Sequence, residues 1–170
     1  MTDIIAAMNP AAPLTTEDAA LGAAKVSAVG MVIGAINQAV GGWYASTPEA
    51  SQAAARVMEN LTGQTVDPTQ LAQQTQMGLY LTGALVVLQL ILAAVQWRKP
   101  NGVLPILFLV LVVWALGGAA LALVVPAFSG GQPMWLTVFT LVMMLLAAIL
   151  HIAGIRGASA LKKFRDAQAY

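Results

Sequence analysis

The sequence predicts an all-α polytopic membrane protein, a four-transmembrane-helix bundle with a short amphipathic helix in its first outer loop. Composition and the spacing of charge carry that expectation. Of the 170 residues 59% are hydrophobic and 9% charged, against roughly 45–50% and 25% in soluble domains. So few charges cannot cover a surface in water. No Asp, Glu, Lys or Arg occurs between Lys25 and Glu49, between Asp67 and Arg98, or over the 56 residues between Lys99 and Arg156. One crossing takes about 20 residues, so the last gap holds two.

The domain organisation follows from these gaps. Residues 1–20 read as a loose cytoplasmic tail, acidic and Pro-containing, without the basic start of a secretory signal. The first apolar segment is therefore expected to be retained. Thr15 or Thr16 caps a helix whose first turn carries Glu17 and Asp18, facing the positive helix end. It crosses at about 21–42 and is the least apolar span, with five glycines, Lys25, Ser27, Asn37 and Gln38. Thr47-Pro48-Glu49 opens a second helix, and Ala54, Val57, Met58 and Leu61 on one of its faces suit the membrane surface. Asp67-Pro68-Thr69-Gln70 opens a third, with Val66 and Leu71 as a staple. That helix runs unbroken into the second span, about 77–97, and projects about two turns beyond the membrane. Trp97, Arg98 and Lys99 close it. The third span covers about 103–125, with Pro105 tolerated in its first turn. The fourth covers about 134–155, after an uncharged loop from Pro126 to Pro133. Residues 156–170 form a basic cytoplasmic segment. Together, 21–155 is the transmembrane domain.

Arg98, Lys99, Arg156, Lys162, Lys163 and Arg165 flank one side of these spans and Lys25 joins them, whereas the other side has Arg56 alone. The positive-inside rule then sets both termini in the cytoplasm. The Ala-rich, cysteine-free composition suits a bacterial inner membrane. Nucleic acid is not an expected partner of a chain with net charge +1.

Three polar or small-residue patterns stand out. In the first span Ser27, Gly30, Gly34, Asn37 and Gly41 share a face, and Gly30-x-x-x-Gly34 permits close backbone approach. Either another subunit or another helix of the same chain would use it. A heptad beyond Thr75, which lies outside the hydrocarbon core, Thr82, Gln89 and Gln96 recur by heptads in the second span. With Gln38 they form a polar intramembrane stripe, either a lining for a small solute or interhelical hydrogen bonds. In the fourth span Thr137, Thr140, Met144, Ala147, His151 and Gly154 align. His151, the only histidine, reads as a contact near the cytoplasmic surface. The third span offers only Trp114 and Gly117-Gly118 and reads as a lipid-facing or subunit-facing wall.

No cofactor, metal site or catalytic group is expected. The spans carry no carboxylate for proton coupling and no arginine for voltage sensing. Cysteine is absent, and one histidine without a nearby acid or nucleophile supports no acid–base chemistry. Met143 and Met144 lie on the same helix as His151 and could not share an iron with it. The expectation is a non-catalytic accessory or scaffold subunit in a larger membrane assembly, with lipid and other membrane subunits, or itself, as partners. The alternative is a small homo-oligomeric channel or facilitator for a neutral solute.

Overall fold

The structure, a computed structural model, describes residues 4–125 and 129–168. The start of the loop expected at Pro126 lies outside the described residues, as do both extreme termini. The helices are α1 (Ile4–Met8), α2 (Glu17–Ala45), α3 (Pro48–Thr62), α4 (Pro68–Arg98), α5 (Val103–Val124) and α6 (Met134–Gln168). Four of them, α2, α4, α5 and α6, are long and apolar enough to span a bilayer. The chain is thus a four-helix membrane protein in contact with lipid, with the short α3 between its first two spans.

Local chemistry fixes the helix starts. Thr16 accepts from Ala19 N at 3.2 Å to begin α2, and Thr47 accepts from Ala50 N at 3.3 Å to begin α3. Asp67 accepts from Thr69 N at 2.8 Å to begin α4. Each satisfies an amide that helix geometry leaves without a carbonyl. Gly63 ends α3 in the left-handed region at φ 69°. Asn101 Oδ1 accepts from both Val103 N and Leu104 N at 3.0 Å, capping α5 from outside the helix.

Two terminal segments are more ordered than their composition suggests. The expected loose tail contains α1, whose Ala7 is buried with Val26 of α2 and Leu150 and Ala153 of α6. Five residues are too few to show a period, and this helix owes its order to packing. Beyond residue 155 the basic segment continues α6 without a break to Gln168. At 35 residues α6 is about 52 Å long, well over the ~30 Å hydrocarbon thickness. Leu161 is buried on that extension, and the Gln168 amide donates to Glu17 Oε2 at 3.3 Å.

The least apolar span lies innermost. α2 packs between α4 and α6, and α5 packs on α6. In its most apolar stretch 56% of α2 is buried, against 11% for α4 and α5. Lipid is as apolar as leucine, so a large apolar side chain gains little by leaving lipid for protein. Helix association comes instead from close packing of small residues and from polar groups that hydrocarbon would leave unpaired. Ala20, Ala24 and Ser27 of α2 and Ala147 of α6 are all fully buried. A Cβ added to Gly154 would lie 2.5 Å from Ser27 Cβ, and one added to Gly157 would strike the backbone of Ala23 and Ala24. The α2–α6 seam therefore depends on these two glycines.

Candidate functional site

The polar residues of the spans fall into two environments. Toward the end where α4 turns into α5, the two glutamines are bonded. Gln89 donates from Nε2 to Met31 O of α2 at 2.9 Å. Gln96, fully buried, donates to Ala24 O at 3.1 Å and to Asn101 O at 3.0 Å, and accepts from Asn101 N at 3.3 Å. One side chain thus fastens α4 to α2 and closes the α4–α5 turn. Both glutamines of the heptad stripe are committed to backbone partners within the chain. Lys25 Nζ lies 5.8 Å from the Trp97 ring centroid at this same end, a cation–π contact between α2 and α4.

The face predicted on α2 divides among three neighbours. Ser27 meets Gly154 of α6, Gly30 meets the His151 ring, and Gly34 lies against the Gln89 amide. These three have partners within the chain. Asn37 and Gly41, further along α2, open onto a cleft of about 540 Å³ walled by all four spans. Gln38 joins them on α2, Thr82 and Leu85 line it from α4, and Thr137 and Thr140 from α6. The α5 wall is small: Ala115, Gly118, Ala119 and Ala122.

Two observations mark the cleft. Asn37 Oδ1 and Gln38 Oε1 are buried and have no hydrogen-bond partner. An amide left unpaired in a low-dielectric site costs about 1–3 kcal/mol, so these oxygens call for a donor from outside the described contacts. Gly41 and Gly118 line the cleft, and a Cβ added to either meets nothing within 4 Å. They differ in this from Gly154 and Gly157, where a Cβ has no room.

The cleft continues into a smaller space of about 280 Å³ beneath α3, sharing Gly41, Ala45, Thr82 and Gln132. Ala50, Ser51 and Ala54 of α3 and Thr75 of α4 line this vestibule. Gly131, at φ 78°, passes so close to α3 that a Cβ would lie 2.8 Å from Ala53 Cβ. Tyr44 and Trp135 meet edge to face at 6.2 Å near the same end.

His151 lies inside the bundle, fully buried, with Phe108 stacked at 5.8 Å and 26°. Neither ring nitrogen has a hydrogen-bond partner. It faces Gly30 and Phe108 within the bundle. No group of three or more His, Cys, Asp or Glu residues occurs among the described residues in a geometry for metal.

The sequence marked Gly118 and read α5 as a wall facing lipid or another subunit, without singling out Ala115, Ala119 and Ala122 as the lining of a cleft. Ala115, Gly118, Ala119 and Ala122 repeat at helical spacing, a signal that alanine-rich spans carry so often that it does not single out a cleft. The chain matches no family model, no curated protein and no solved structure.

Proposed function

We propose that this chain is a non-catalytic membrane subunit whose cleft receives a transmembrane helix of another protein in a larger assembly. The observation that carries the reading is the pair of unpartnered, buried amide oxygens of Asn37 and Gln38 at a cleft walled by small residues. Small side chains allow a helix backbone to approach closely, and a serine, threonine or amide on that helix would supply the missing donors. No charged residue lines the cleft, which favours recognition over acid–base chemistry. The cation-rich end would face the cytoplasm and the α3 end the opposite side, by the positive-inside rule. A bacterial inner membrane is the proposed setting.

The facilitator reading draws on the continuity of cleft and vestibule. Against it stands the other half of the bundle, where Gln89 bonds to α2 and the α2–α6 seam has no room. A path would have to break those contacts. Extraction from the native membrane followed by native mass spectrometry separates the two. The accessory reading expects a mass that includes another polypeptide. Whole multiples of 17.6 kDa, with solute flux in liposomes, would replace it with the facilitator.

A further inference from the structure

We propose that a groove between Leu14 and the end of α6 binds the headgroup of an anionic phospholipid. The groove has a volume of about 580 Å³ and brings Arg156 and Lys163 together with Leu14, Ile155, Ser159 and Phe164. Its position in the chain is distinctive. Ile155 is the last residue of the 56-residue uncharged stretch, and Arg156 is the first charge after it. The groove therefore straddles the level at which the hydrocarbon ends, where a phosphodiester sits with its acyl chains below.

The chemistry fits that ligand. Arg156, Ser159 and Lys163 recur at steps of three and four, hence on one face of α6. Arg156 and Lys163 are separated by about 10.5 Å along the axis, a span that two long side chains can close around one phosphate. Both cations are exposed, and neither has an ion pair among the described residues. Ser159 donates its hydroxyl proton to Ile155 O at 2.9 Å, so the cations carry the recognition. Leu14, Ile155 and Phe164 supply an apolar wall that inorganic phosphate would not use. A second groove, on the far side of the extension, combines Lys162 and Arg165 with Asp166. Its carboxylate opposes an anion, and the first groove has none.

The test uses the full chain in mild detergent with equimolar phosphatidylglycerol and phosphatidylcholine, counting bound lipids by native mass spectrometry. Two cations at the bilayer surface predict a preference of about tenfold or more for phosphatidylglycerol. The double variant Arg156→Gln/Lys163→Gln should abolish it, Lys163→Gln alone should weaken it, and Lys162→Gln on the other face should leave it intact. Equal retention of the two lipids by the parent would overturn the proposal, as would an unchanged preference in the double variant. Equal losses from Lys162→Gln and Lys163→Gln would point to diffuse surface charge instead of a site. Displacement of the lipid by millimolar inorganic phosphate would reassign the groove to a soluble anion.

Discussion

The two halves of the bundle use the same residue types in opposite ways. In the half that holds the α4–α5 turn, glycine makes room for a neighbour already present, and glutamine bonds to a carbonyl already present. Gly157 lies against the backbone of Ala23 and Ala24, and Gln96 bonds to Ala24 O and to both backbone groups of Asn101. In the half beneath α3, Gly41 and Gly118 border empty space, and the buried amide oxygens of Asn37 and Gln38 lack partners. A glycine or a buried amide in a membrane helix is thus ambiguous by itself. Whether its neighbour belongs to the same chain decides if it serves the fold.

This contrast can be broken most forcefully at the seam. Gly157→Leu forces a side chain into the α2 backbone, and the bundle should lose about 3 kcal/mol or more, or fail to form. Unfolding in mixed micelles with increasing dodecyl sulfate measures this. A variant as stable as the parent would mean that α2 and α6 are not in close contact.

The two glutamines sharpen the comparison within that half. Gln96→Leu removes three hydrogen bonds, including those that hold the α4–α5 turn, and should cost more than Gln89→Leu, which removes one. Interhelical hydrogen bonds in membranes average about 0.6 and reach about 1.7 kcal/mol, so Gln96→Leu belongs near 2 and Gln89→Leu below 1. The same unfolding assay ranks them, and the reverse order would remove Gln96 from its clasping role.

Asn37→Leu tests the other half with a small expected change in stability and the opposite sign. It deletes an amide whose buried oxygen has no partner, so the isolated chain should gain up to about 1 kcal/mol. A loss of more than about 1 kcal/mol would show that the amide is bonded within the fold.

Much of the architecture is legible in the sequence, because lipid demands long uncharged stretches and helix starts carry local caps. The spans, α3, and the unbroken run of α4 from Asp67 into the membrane all follow from those two rules. The order of α1 and the helical continuation of α6 do not, since both depend on packing against α2 that no local period encodes. The site is legible only in part. Gln89 and Thr82 share a heptad stripe, yet one bonds to Met31 O while the other lines the cleft. A repeat fixes which face a residue occupies and leaves open what lies opposite. The threonines of α6 were marked with Met144 and His151 as one stripe. That stripe does face α2, but Thr137 and Thr140 reach the cleft while His151 is sealed behind Phe108.

The central claim is that the α3 half is kept open for a helix from another protein. Gly41→Leu and Gly118→Leu test it directly, because each adds bulk at the cleft where a Cβ meets nothing of this chain within 4 Å. The measurement is the native mass of the complex drawn from its own membrane, beside the unfolding curve of the purified variant. The account predicts that both variants keep the parent's stability within about 0.5 kcal/mol and lose the companion polypeptide, leaving the 17.6 kDa chain. Variants that retain the parent's complex would contradict it.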